Sequence, residues 1–195
     1  MKSFQQHRNQ KGLTLIELLL VLVVVLAIAV VGFVLFGQTS ASQRAQAGQQ
    51  ALLSVSSGVK ALANGPNYTG VTAAVVVSAG KAPPNLVDAA GTGINNPWGG
   101  TVTIAHKNVN GGNANGFMIC MNTVPRNECN SIVASTAGSF PVISVNTTCP
   151  AATPATLTAG TVVKDQFAAT PVNPTPVNIT TACNRESNSI AWIGI

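Results

Sequence analysis

The chain has 195 residues, room for one globular domain after a membrane segment and hardly for two. Only 8% of residues are charged and 5% are aromatic, a composition that suits an extracytoplasmic structural protein better than a cytosolic enzyme. The net charge of +5 owes three units to Lys2, Arg8 and Lys11, and the seven basic residues beyond Gly37 are scattered among four acidic ones. Without a dense basic stripe to hold a phosphate backbone, no specific nucleic acid is expected as a partner.

Met1 to Gly12 is a short basic leader with no acid. From Leu13 to Gly37 the chain is apolar and carries a single charge, Glu17. As a helix this run spans about 37 Å, enough to cross a hydrocarbon core of about 30 Å. A conventional secretory signal has an apolar region of only about 7–15 residues, and a cut after Ala41 would leave Glu17 unexplained. A carboxylate costs about 2.5–3.5 kcal/mol at the centre of a membrane helix, so Glu17 is a candidate functional residue. A plain membrane anchor oriented by Lys2, Arg8 and Lys11 is the alternative.

The helix is expected to continue to Ala63. Small or apolar residues recur at Ala41, Ala45, Gly48, Leu52, Val55, Val59 and Leu62, a stripe of period about 3.5 that one face of a helix would bury. Asn64-Gly65-Pro66 ends it with stop signals. Its first half, apolar all round, requires lipid or a bundle; its second half requires a domain to pack on.

Beyond Pro66 the pattern turns to short elements. Val71 to Val77 reads as a strand or a short helix, Lys81 to Asn96 as a loop, and Asn96-Pro97-Trp98-Gly99-Gly100 as a turn. Thr101 to Ala105 alternates as a strand, and with Phe117 to Met121 it makes a hairpin across a Gly/Asn connection. Pro125 to Ser135 reads as a helix with Ile132 and Val133 on its inner face. Phe140 to Val145 is a further strand, Thr147 to Thr181 reads as extended loop, and Ser189 to Ile195 closes the chain as a strand.

The four cysteines, Cys120, Cys129, Cys149 and Cys183, lie downstream of the membrane segment with 8, 19 and 33 residues between them. An even number there reads as disulfides in an oxidising compartment; the spacing offers no familiar zinc pattern, so no metal is expected. Nor does the sequence show a catalytic order: Asp88, Glu128, Asp165 and Glu186 are scattered, and His106 sits on what reads as an exposed strand end. The expectation is a protein that is not an enzyme and takes no cofactor. Trp98 and Trp192 read as packing residues.

The segment Lys11-Gly12-Leu13-Thr14-Leu15-Ile16-Glu17, followed by the apolar run, resembles the processing site of type IV pilins, the subunits of bacterial surface filaments. The resemblance is strong over the first 63 residues and extends to the rest in outline. Leu13, where the other branch usually has Phe, and a mature chain of 183 residues point to the type IVb branch. The 12-residue leader is intermediate between branches, and Val34 stands where many members have a proline. The outline of Asn96 to Ile195 looks like the head of the toxin-coregulated and conjugative thin-pilus pilins.

That resemblance implies an α+β fold, a long N-terminal helix packed on an antiparallel sheet. It divides the chain into a cleaved leader at 1–12, a membrane and filament-core helix at 13–37, and a head at 38–195 that includes the second half of the helix. A prepilin peptidase would cut between Gly12 and Leu13 and methylate the new amine of Leu13. Glu17 would neutralise the amine of a neighbouring copy during assembly. One disulfide would tie Cys129, on a short helix, to Cys183 near the C-terminus, leaving Cys120 with Cys149; this second bridge departs from the single one commonest in the family. The implied protein is a major pilus subunit for adhesion, aggregation or conjugative contact. It starts in the inner membrane with its N-terminus inside. Its partners are other copies, an assembly ATPase, an inner-membrane platform protein and an outer-membrane secretin. A minor pilin or type II secretion pseudopilin is the rival within the family, and an anchored, non-polymerising binding domain is the rival outside it.

Overall fold

The computed structural model describes residues 14–63, 65–150 and 160–195, the side chains of 34–38 apart. The chain divides into two units, one ending at Ser40 and the other running Ala41–Ile195. Helix α1, Leu15–Leu62, contributes to both. In the first unit, Leu15–Phe33 is exposed on every side, has a mean hydropathy of 3.2, and is long and apolar enough to cross a membrane.

In the second unit the remainder of α1 lies in the main core. Leu52, Val55 and Val59 are fully buried and Ala45, Gly48 and Ala51 nearly so. Ala41 and Leu62, the ends of the expected stripe, are half-buried, while Ala51, Ser56 and Gly58 join the buried face. The face is therefore wider than a two-helix seam, as a helix embedded among a sheet and loops requires.

The other elements are α2, Ala73–Ser78; a 3-10 turn, Pro84–Leu86; β1, Ile94–Asn95; β2, Thr101–Lys107; β3, Gly116–Pro125; α3, Arg126–Thr136; β4, Val142–Asn146; β5, Thr161–Asp165; α4, Pro176–Ala182; and β6, Ser187–Gly194. Among the described residues, six strands form one antiparallel sheet in the order β1-β2-β3-β6-β4-β5. The last strand of the chain thus lies inside the sheet, Trp192 opposite Ile119 on one side and Ile143 on the other. A strand with neighbours on both edges and cover on both faces is buried along its length, and Asn188–Gly194 are all buried. Phe117, Ile119, Met121, Ile143, Ile190 and Trp192 face the main core with α1; Ala105, Met118, Cys120, Val142, Ala191 and Ile193 form a smaller cluster with Cys149 and Phe167.

The β2–β3 hairpin, α3 and the terminal strand match the sequence reading within a few residues. The strand expected from Phe140 starts at Val142, because Pro141 has no amide hydrogen to donate to a ladder. Val71 to Val77 resolves as the helix α2, its N-terminus capped by Thr72 Oγ1, which accepts from Val75 N at 3.4 Å; a local cap overrides the strand preference of Val75-Val76-Val77. The loop expected over Thr147 to Thr181 is corrected: it contains β5 and α4. Residues 151–159 of that stretch, and Asn64 at the expected helix stop, lie outside the described residues.

Candidate functional site

Two places carry the residues singled out by sequence: the start of α1 and the two disulfides of the head. Gly12 and Leu13 lie outside the described residues, so the site at the helix start is built from Thr14 onward. Thr14 O accepts the first helical bond, from Leu18 N at 3.2 Å. Thr14 Oγ1 accepts from Glu17 N at 3.4 Å and donates to Glu17 Oε2 at 3.1 Å, and Thr14 N donates to the same oxygen at 3.1 Å. This is a reciprocal capping box, in which the hydroxyl and carboxylate satisfy amide groups that the first turn leaves without intrahelical partners. The negative carboxylate also sits where the helix dipole favours it. Thr14 carries no charge or apolar signal of its own, but Thr-x-x-Glu before an apolar run is the sequence signature of such a box.

In the head, Cys129 on α3 is bridged to Cys183 at the C-cap of α4, with Cα atoms 5.8 Å apart, and Cys120 on β3 is bridged to Cys149, 5.7 Å apart. Cys129, Cys183 and Cys120 are fully buried and Cys149 is half-buried. The first bridge fixes α3 beside α4. Thr175 and Asn178 cap α4 with a second reciprocal box: Asn178 N donates to Thr175 Oγ1 at 3.2 Å and Thr175 N to Asn178 Oδ1 at 2.6 Å. Asn178 Nδ2 also reaches Asn173 O at 3.0 Å, and Lys164 Nζ donates to Ala137 O at 2.6 Å. Arg126 donates to Asn184 O. The α3–α4 surface is thereby held to β5 and to the approach to β6, with a groove of about 320 Å³ between Ala134, Ala137, Pro174 and Ile179.

Asp88 caps a turn: the backbone N–H groups of Gly93 and Thr92 hold its carboxyl below the usual range, Thr92 N lying 2.9 Å from Oδ1. Asp165 accepts from Phe167 N at 2.8 Å and Ala168 N at 3.1 Å. Glu128 and Glu186 border one shallow pocket with Arg126. His106 lies near the end of β2, half-buried rather than exposed. Lys107 is fully buried at the end of β2, and desolvation lowers the pKa of its amine. Among the described residues no three of His, Cys, Asp and Glu converge on a point where a metal ion could sit.

What remains is an apolar helix that begins at a capped carboxylate, joined in sequence to a disulfide-bonded sheet domain. Two family models cover these parts. The prokaryotic N-terminal methylation motif matches residues 7–35, and the model described as PilS N terminal matches 42–194. The chain belongs to the PilS family of type IV pilins. The fold agrees with that of TcpA, a type IV pilin from Vibrio cholerae El Tor biotype, at a TM-score of 0.58 and 21% identity over 78% of this chain and 99% of that one. A type IVb pilin from Salmonella typhi aligns at a TM-score of 0.49 and 18% identity over 77% of this chain and 97% of the other. No curated protein matches the chain by sequence. The methylation motif carries with it processing by a prepilin peptidase and polymerisation as a pilin. PilS-family proteins of this fold are structural subunits rather than enzymes.

Proposed function

We propose that this PilS-family chain is the major subunit of a type IVb-like pilus. The observation that carries the proposal is the helix Leu15–Phe33, apolar on every side and headed by Glu17, followed by a head that the PilS model matches over residues 42–194. The leader at 1–12 stays on the cytoplasmic side, directed by Lys2, Arg8 and Lys11, and the helix at 13–37 holds the precursor in the inner membrane. Peptidase cleavage between Gly12 and Leu13, with methylation at Leu13, leaves an amine one residue ahead of the capping box.

In assembly Glu17 pairs with the amine of a neighbouring copy. An unpaired charge in a low-dielectric helix bundle costs several kcal/mol, and a well-oriented partner offsets much of that cost. Neighbouring apolar helices solvate Leu15–Phe33 about as well as lipid tails do, so the helix passes from membrane to filament core without a large penalty. An assembly ATPase, a platform protein and a secretin drive and conduct the polymer outward. The heads face solvent, and the surface around β5 and α4 contacts other cells or surfaces in adhesion, aggregation or conjugation.

The experiment is to shear filaments from cells that make the protein and measure its share of the total. A major subunit accounts for nearly all of the filament. A share of a few per cent would overturn that assignment in favour of a minor pilin or pseudopilin.

A further inference from the structure

A pocket of about 340 Å³ opens at the start of α3, walled by Pro125, Arg126, Asn127, Glu128 and Glu186. Glu128 is only 8% exposed. Among the described residues its carboxylate has no hydrogen bond or ion pair, and neither oxygen is sealed off from the pocket. A glutamate at the third position of a helix ordinarily reaches back to the amide of the N-cap residue. Here the N-cap is Pro125, which has no amide hydrogen to give. A buried carboxylate without a donor is costly, so Glu128 calls for a partner from outside the chain. The opposite wall is cationic. Arg126 gives one guanidinium N–H to Asn184 O, and its remaining N–H groups have no other partner among the described residues. Pro125 also supplies no side-chain acceptor for the first-turn amides of α3, which add donors and the positive end of the helix dipole.

We propose that this pocket binds a small zwitterion in which a primary ammonium lies a few bonds from an anionic group. The ammonium donates to Glu128 and Glu186, and the anionic group accepts from Arg126 and the first-turn amides of α3. A divalent cation suits the pocket poorly, because calcium takes about six to eight oxygens and the guanidinium repels it. The N–H donors matter as much as the charge, since Glu128 has lost the hydrogen bonds that water would give it. Both walls are fixed before any ligand arrives. The Cys129–Cys183 bridge joins the residue after Glu128 to the residue before Asn184, and the pairing of Pro125 with Ser187 pins the far side. Such preorganisation spares the ligand the cost of ordering its site. Two sources offer this chemistry, a free α-amino acid and an ethanolamine-phosphate headgroup.

The test titrates the full chain, held in a non-ionic detergent, with glycine, O-phosphoethanolamine and N,N,N-trimethylglycine, and reads binding by saturation-transfer NMR. Trimethylglycine keeps both charges of glycine and has no N–H to donate. The expected result is saturable binding of glycine or O-phosphoethanolamine, the tighter of the two identifying the source, with trimethylglycine weaker than glycine by about tenfold or more. Glu128→Gln keeps the shape and removes the charge, and it should weaken the tighter probe about tenfold. Glu186→Gln, at an exposed position, should weaken it about threefold with the urea midpoint unchanged. Should Glu128→Gln fail to fold, Glu186→Gln decides in its place. The proposal is overturned if neither primary-amine probe saturates up to about 10 mM. It is equally overturned if trimethylglycine binds as well as glycine, or if the folded Glu-to-Gln variants bind like the native chain.

Discussion

Trp98 lies against the backbone of Gly48, so close that a Cβ added at Gly48 would fall on the six-membered ring of the indole. The turn that delivers Trp98 is itself pinned: Asn96 Oδ1 accepts from Trp98 N and Gly100 N, each at 3.0 Å, and Asn96 Nδ2 donates to Asn122 O at 2.6 Å. Asn122 precedes Thr123, whose φ of 59° marks the irregularity between β3 and β6. A sheet bulge, a turn and a helix glycine are thus mechanically connected.

This contact predicts a change of sign. Glycine costs a helix about 1 kcal/mol relative to alanine, whereas overpacking costs about 1–3 kcal/mol. Gly48→Ala should destabilise the head in urea titration, and the same change on a Trp98→Ala background should stabilise it by about 1 kcal/mol. Gly58→Ala should cost more than Gly48→Ala, because there the new Cβ meets the carbonyl oxygen of Lys81, a backbone atom, at 2.8 Å.

The two disulfides should differ in accessibility more than in entropy. Bridges closing 54 and 29 residues each constrain the unfolded chain by about 4 kcal/mol on the loop-entropy estimate. Cys149 is half-buried and Cys129 and Cys183 are fully enclosed. Mild reductant under native conditions should open Cys120–Cys149 first, read by alkylation and peptide mapping. The Cys129→Ser/Cys183→Ser variant should lose the fixed α3–α4 surface, seen as hydrogen exchange in 126–136 and 176–182.

The pH dependence follows from three groups. Burial lowers the pKa of Lys107, so the folded state binds fewer protons there than the unfolded chain. Stability should therefore rise as pH climbs from the lowered folded value toward the unfolded value of about 10.4, and Lys107→Met should abolish that rise. Burial raises the pKa of Tyr68, so its contribution is present below about 10 and lost as pH passes upward through the folded value. Asp88 acts at the acid end: with its pKa lowered, its contribution is present above about 3.9 and lost as pH falls through the folded value. Asp88→Asn should flatten the acid limb of a thermal-melting series and leave the alkaline limb unchanged.

The fold was legible where the information is local. The stripe from Ala45 to Val59, the hairpin of β2 and β3, and α3 behind Pro125 follow from periodicity and turn residues a few positions apart. The insertion of β6 between β3 and β4 depends on pairings such as Cys120 with Ala191, across a separation that periodicity does not encode. Helix α4 was legible in principle and overlooked: Thr175-Pro176-Val177-Asn178 has a cap, a proline at the first position and a reciprocal partner at the third, hidden in a stretch rich in Thr and Pro. Its cap predicts that Thr175→Ala lowers stability by about 1 kcal/mol, measurable by urea titration of the head. At the helix start, Glu17 stood out because a charge in an apolar run is costly, whereas Thr14 is unremarkable until its hydrogen bonds are seen.

The central claim is that this chain is cut after Gly12 and polymerised as a pilin. The most direct measurement is the intact mass of the protein in sheared surface filaments, before and after reduction. The account predicts a chain beginning at methylated Leu13 whose mass rises on reduction by the hydrogens of two disulfides. A protein retained in membranes and beginning at Met1, or at Ser42 after a conventional signal cut, would contradict it.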